Sequence, residues 1–268
     1  MHKISGYADF SDFARRHDIP LHYVRDYGMR HEEDVAFFQR HRFDLIVQGG
    51  WQRLFPEPVL ETLRIGALGV HGSSDFLPKG RGRSPMNWSI IEGRERFILS
   101  LFLIGAGIDD GPVFDYEMYD ISEHDTIKTL YYKSVLATER MILRNLEPLL
   151  DGRASAVPQA GDPTYYFKRE PRDGRIDWEL SDVSEIHRAI RAQTRPYPGA
   201  FALLDDSWVR IWSAQPFDTR LTYPGSAYGA VVARFGDDLI VNCRGGLLLV
   251  TEYSPLDSQE RSALGIDP

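Results

Sequence analysis

The sequence predicts an α/β domain built on a mostly parallel sheet, followed by a small antiparallel β-barrel of about 100 residues. Three observations carry that prediction. Apolar, strand-like runs alternate with amphipathic helical stretches as far as residue 150. The segment 151–174, "DGRASAVPQAGDPTYYFKREPRDG", then breaks all periodicity with Gly, Pro and Asp, as a linker does. Beyond it come short apolar runs separated by "DD" and "GDD", which are hairpin signals. The expected domains are 1–155 and 156–268.

Taken in order, 9–18 reads as a short helix and 19–24, "IPLHYV", as a short strand. Residues 31–42 form an amphipathic helix with Val35, Phe37 and Phe38 near one face. The run 43–50, "FDLIVQGG", is a buried strand ending in glycines, and 56–64 is helical with prolines near its start. The next strand is 66–71, "GALGVH"; 85–93 is a helix closed by glycine. Residues 97–105, "FILSLFLIG", are strongly strand-like, and 106–114 is a turn-rich loop leading into another extended piece. The longest helical pattern is 125–150. After the break, 181–193 is a helix with Ser181 as its N-cap, and five short strands follow.

Composition narrows the function classes. A hydrophobic fraction of 43% over 268 residues is ample for one or two packed cores. A formal net charge of −8 argues against a general polyanion binder, while leaving room for a local basic loop to hold a phosphate. Cys243 is the only cysteine, so no intrachain disulfide forms and a reducing cytoplasm is the expected compartment. No apolar run approaches the ~20 residues a membrane span requires, and Met1 is followed by mixed polar sequence unlike a signal peptide. No metal site is expected.

In open α/β sheets, ligands bind outside the carboxyl ends of strands. Three such ends carry informative residues: "QGGWQRLF" (48–55), His71 with the basic loop after it, and "GAGIDDG" (105–111). A histidine and a carboxylate at neighbouring strand ends form a base and its orienting group. Taken singly, each residue also has a structural reading. His71 suits a core or capped histidine, Asp109 and Asp110 suit a glycine-rich turn, and "KGRGR" suits a solvated loop. Trp51, Trp88 and His187 read as packing residues.

Together, "GVHGSSDFLPKGRGRSPMNWSIIEG" and "GAGIDDGPV" resemble the formyltransferases that depend on N10-formyltetrahydrofolate, a family that includes methionyl-tRNA and amino-sugar formyltransferases. The likeness continues through 165–201, which is similar to the start of that family's C-terminal domain. The resemblance implies a Rossmann-like sheet followed by an OB-like barrel. It assigns His71 and Asp109 as catalytic residues. Gln52, Arg53, Leu54, Gly107, Ile108 and Asp109 become contacts of the co-substrate N10-formyltetrahydrofolate. Lys79, Arg81, Arg83 and Asn87 are expected to contact the acceptor, whose phosphates suit guanidinium forks. The implied reaction is formyl transfer to the amine of a nucleotide-linked amino sugar, since "GRGRSPMNW" looks more like the sugar enzymes. The alternatives are a methionyl-tRNA formyltransferase, the one reading with a nucleic-acid partner, and a degenerate member that binds folate or a partner without turnover.

Two departures from the family pattern stand out. Gly69 occupies the position of the family's Asn, removing one side-chain donor to the oxyanion; Asn87, Ser73 or a backbone N–H are the substitutes within reach of the sequence. The resemblance also implies a strand–helix–strand unit ahead of the region matching residues 9–24, with no counterpart expected in this sequence. A sheet lacking that unit is expected to have an open edge, which invites pairing with a second copy or a complementing chain.

Overall fold

The computed structural model describes residues 8–51 and 53–266. In chain order the elements are α1 (Ser11–Arg16), α2 (Glu32–His41), β1 (Leu45–Val47), α3 (Glu57–Leu60), β2 (Gly66–Ser73), β3 (Arg81–Gly82), α4 (Pro85–Ile91), β4 (Arg96–Leu103), β5 (Val113–Asp120) and α5 (Ile127–Leu150). They continue with β6 (Tyr165–Tyr166), α6 (Val183–Gln193), β7 (Ala200–Leu204), β8 (Ser207–Asp218), β9 (Val231–Phe235), β10 (Asp238–Cys243), β11 (Gly246–Pro255) and α7 (Ser258–Leu264).

Two compact units form from interleaved segments. The first takes the described residues up to Gly82, with Ile98–Tyr119 and Ser134–Tyr165. The second takes Arg83–Phe97, Asp120–Lys133 and the described residues from Tyr166 onward.

The α/β sheet has the order β1-β2-β4-β5. It is mixed: β1 and β2 run parallel, with Leu45 opposite Gly66, whereas β2 and β4 run antiparallel, with His71 opposite Ser100. The sequence of β4 explains its central place, because Phe97 to Phe102 are all buried and a strand apolar on both faces is stable only between neighbours. β5 alternates half-buried and exposed residues, as an edge strand with one wet face does. The expected strand at 19–24 joins no ladder among the described residues. Instead, the fully buried carboxylate of Asp34 on α2 accepts the N–H groups of Arg25 (2.9 Å) and Asp26 (3.1 Å) and contacts His22 Nε2 at 2.7 Å. These bonds satisfy the segment's polar groups without a sheet partner. Below it, Met29, Phe55 and Val59 form a small core with Val35, Phe38 and Trp51 packed against it.

The second unit is organised by an antiparallel sheet of order β7-β8-β11-β10-β9. Between β9 and β7 no ladder closes the sheet among the described residues; α6 packs on one face of it. Val183, Ile186 and Ile190, at helical spacing, enter a core with Ala202, Ile211, Val241 and Leu248. The N-cap of α6 is Asp182 rather than Ser181. Its carboxylate accepts the N–H groups of Ser184 and Glu185, and Glu185 returns the bond to the Asp182 N–H at 2.8 Å. A carboxylate at that position also complements the helix dipole, which a hydroxyl does not.

Candidate active site

The chemistry-bearing residues of the first unit converge on the sixth residue of β2. His71 lies inside the strand rather than beyond its end, paired with Ser100 of β4. Its Nε2 meets the carbonyl oxygen of Gly80 at 2.8 Å, and its Nδ1 stands 3.4 Å from Asp109 Oδ2. Because β4 is antiparallel, its carboxyl end lies beside Leu68, at the start of β2, and the loop 104–111 must fold back to bring Asp109 to the histidine. That is possible because the loop leaves and rejoins the sheet tightly. The Leu103 N–H donates to Pro112 O at 2.9 Å and closes the turn. Any Cβ at Gly111 would stand 1.6 Å from Leu103 O, so only glycine permits this closure. Asp109 itself adopts the left-handed region, φ 49°, which Asp tolerates better than most residues.

A hydrogen-bonded clamp holds that loop in place. Gln159 Nε2 donates to the carbonyl oxygens of Asp109 (2.8 Å) and Gly111 (2.7 Å), while its Oε1 accepts from Arg81 Nη2 at 2.6 Å. The Gly82 N–H donates to Asp109 Oδ2 at 3.2 Å. On the other side of His71, Gly80 is fixed through its own N–H, which donates to Thr164 Oγ1 at 2.8 Å. Ser73 Oγ, buried, contacts the carbonyl oxygens of Asp75 and Lys79 and so pins the loop before Gly80. Both ring nitrogens of His71 therefore face acceptors. A neutral imidazole has one N–H and satisfies one of them; the cation satisfies both.

The pair opens onto a cleft of about 200 Å³ lined by Gln48, Trp51, Arg53, Leu54, Phe55, Gly69, Val70, His71, Phe102, Ile104, Gly107 and Asp109. Of the residues expected to contact folate, Arg53, Leu54, Gly107 and Asp109 line this cleft. Ile108 is half-exposed and outside the lining, and Gln52 lies outside the described residues. A flat heterocycle fits this set: Phe102, Ile104 and Leu54 offer apolar faces, and the strand backbone offers in-plane polar groups. A larger concavity, about 470 Å³, lies in the second unit between residues 219 and 228 and the start of β11. Glu179 is the one carboxylate in its lining, and nothing there matches the chemistry of the His71 cleft.

Two expectations need correcting. Arg81 is not an open phosphate contact: it is 9% exposed, with Nη2 on Gln159 and Nη1 3.4 Å from the Tyr165 hydroxyl. Burying a guanidinium in hydrogen bonds makes it a scaffold, not a ligand fork. Asn87 is 2% exposed and its Nδ2 donates to Ala192 O at 2.7 Å within the second unit, so its amide is not available as an acceptor contact or oxyanion donor. The space above Gly69 is not vacant either, since a Cβ there would stand 2.8 Å from Phe102 Cζ and 2.9 Å from Ile104 Cγ1. Lys79 and Arg83 are exposed. Gln159 went unseen in the sequence because a lone Gln in "VPQAGDP" carries no periodic or motif signal.

Among the described residues no helix is long and apolar enough to cross a membrane. Comparison with known proteins gives a consistent picture. Residues 11–146 match the family described as Formyl transferase, and 168–264 match its C-terminal domain. The bifunctional polymyxin resistance protein ArnA of Wigglesworthia glossinidia brevipalpis is 30% identical over 230 residues, covering 85% of this chain and 34% of that protein. The chain therefore spans about a third of that relative's length. Among solved structures, HypX from Aquifex aeolicus superposes with a TM-score of 0.69 at 20% identity, over 92% of this chain and 42% of that one. The N-formyltransferase from Helicobacter canadensis, solved with folinic acid and dTDP-3-aminofucose, gives 0.65 at 16% identity, over 91% of this chain and 82% of that one. With one family signature spanning half of the sequence and its companion domain covering most of the remainder, this chain belongs to the formyl transferase family.

Proposed function

We propose that the chain transfers a formyl group from N10-formyltetrahydrofolate to the amine of a nucleotide-linked amino sugar. The observation that carries the reading is the His71–Asp109 pair facing a small cleft, with the Asp109 loop locked by Gln159. In this reading the pterin edge sits against Arg53, Leu54 and Gly107. The acceptor amine attacks the formyl carbon, the carbonyl electron pair moves to oxygen, and the C–N10 bond then breaks. The amine gives up a proton to Asp109 or His71, and N10 takes one as it leaves. His71 and Asp109 are in contact, so one proton can be passed along the pair without a reorganised solvent shell.

The net charge of −8 and the short basic loop favour a small phosphorylated acceptor over tRNA, which needs many phosphate contacts. With Arg81 engaged inside the fold, Lys79 and Arg83 are the exposed cations of that loop left to meet a diphosphate. The sugar-bound H. canadensis structure supports the same acceptor class.

The test is formyl transfer to a panel of nucleotide amino sugars and to charged initiator tRNA, each at two salt concentrations. Transfer to a sugar is expected, lost in His71→Ala while tetrahydrofolate still binds. Efficient, salt-sensitive formylation of tRNA with no sugar activity would replace the sugar acceptor by tRNA. Folate binding with no transfer to any amine would make the chain a non-catalytic member.

A further inference from the structure

Formyl transfer builds negative charge on the formyl oxygen, and a site that does this chemistry aims fixed donors at it. Of the side-chain donors at the cleft, Trp51 Nε1 is buried without a partner, while those on β2 itself are engaged or missing. His71 faces Gly80 O and Asp109, Ser73 holds its own loop, and position 69 has no side chain.

The phase of the sheet identifies another donor. The Ile104 N–H donates to Ala67 O at 2.7 Å, so residues 67, 69, 71 and 73 direct their backbone groups toward β4. Residues 68, 70 and 72 direct theirs to the opposite side, where the Gln48 N–H meets Leu68 O at 2.9 Å. β1 ends at Val47, and its register stops at Val47 opposite Leu68. The next N–H along that side belongs to Val70. It has no strand opposite it among the described residues, and Val70 lines the cleft. Its neighbours Gly69 and His71 are both paired to β4, so the peptide plane is fixed before any ligand arrives.

We infer that the Val70 backbone N–H is the oxyanion donor of this site, doing from the main chain what an amide side chain at position 69 would do. The inference rests on the formyl-transfer reading above. When the amine forms its bond to the formyl carbon, the oxygen that gains the carbonyl electron pair accepts the Val70 N–H. When the C–N10 bond breaks, that pair re-forms the carbonyl and the leaving N10 takes a proton.

The test replaces the Val70 amide by an ester, installing 2-hydroxyisovalerate at that position in the full chain. This deletes one N–H and keeps the side chain. An ester at Gly72, whose N–H faces the same side but lies outside the cleft, is the control. The expected result is a kcat about 100- to 1000-fold lower for the Val70 ester. KM for N10-formyltetrahydrofolate and the Gly72 control should stay within about threefold of the wild-type values. A Val70 ester with near wild-type kcat, or an equal loss at Gly72, overturns the inference while leaving the functional reading intact. A wild-type chain that transfers formyl to no amine overturns both. If the ester chain does not fold, amide NMR of the wild type decides. The Val70 proton should move downfield with N10-formyltetrahydrofolate relative to tetrahydrofolate, and the Gly72 proton should not; an unmoved Val70 proton refutes the assignment.

Discussion

Gly69→Asn would place an amide where the sequence pattern of the family expects one, and the structure sets a cost on it. The new Cβ would stand 2.8 Å from Phe102 Cζ and 2.9 Å from Ile104 Cγ1. Phe102 is 4% exposed in the central strand, so its ring can give way only toward the small cleft it lines. Overpacking of this kind destabilises by about 1–3 kcal/mol. Phe102→Ala alone removes a buried ring, at a cost of about 3–5 kcal/mol. The double variant should be more stable than the two single losses predict, by about 0.5–3 kcal/mol, because the amide occupies volume the ring has left. Urea unfolding of the wild type, both single variants and the double variant measures the coupling directly. Formyl transfer by the same four proteins shows whether the added donor speeds the reaction once it fits, with the double variant compared against Phe102→Ala. The reasoning fails if Gly69→Asn alone lies within about 0.5 kcal/mol of wild type, the range of a surface substitution, or if the two changes are strictly additive.

Gln159→Ala should lower kcat by about 10- to 100-fold, since small misplacements of catalytic groups have effects of that order; steady-state kinetics with intact tetrahydrofolate binding would separate lost positioning from lost binding. Burial pushes the His187 imidazole down to about 4, with Arg191 and Arg188 adding to the effect. The unfolded imidazole takes its proton near about 6.5, so stability is present above that pH and falls as pH drops from there toward about 4. Thermal unfolding at pH 7 and pH 5 should therefore show a smaller difference in His187→Gln than in wild type, and equal differences would exclude a buried neutral histidine. Burial also raises the Cys243 thiol to about 12, against the opposing effect of a backbone hydrogen bond from Leu248. Iodoacetamide at pH 8 should leave the native chain unlabelled and label it rapidly in denaturant, as read by mass spectrometry.

The closeness of His71 and Asp109 was legible because each sits in a short motif whose spacing is fixed by local turns: His71 within one strand, Asp109 within a single glycine-rich loop. The long alternation of apolar runs was legible for the same local reason. Strand direction was not. A run such as β4, apolar on both faces, reads identically whichever way it enters the sheet, and its antiparallel pairing with β2 emerges only from the ladder. Residues 19–24 alternate like a strand, yet Ile19, Leu21 and Tyr23 are exposed and the backbone after them is held by the Asp34 carboxylate, a partner supplied by tertiary contact. Arg81 shows the same limit from the other side. Its sequence neighbours make it one of three cations in a loop, and only the positions of Gln159 and Tyr165 reveal that its charge is enclosed.

The Gln159 clamp bears on how pieces of this family can be exchanged. The Formyl transferase match ends at residue 146 and its companion begins at 168, which makes the stretch between them look like a free joint for building hybrids. Gln159 and Thr164 come from that joint, and they hold Asp109, Gly111 and Gly80, all encoded far upstream. A hybrid spliced just after α5 would keep His71 and Asp109 but take its clamp from the donor sequence. The two halves are thus not interchangeable cartridges, and a working splice has to carry residues 159–165 with the half that contains the histidine.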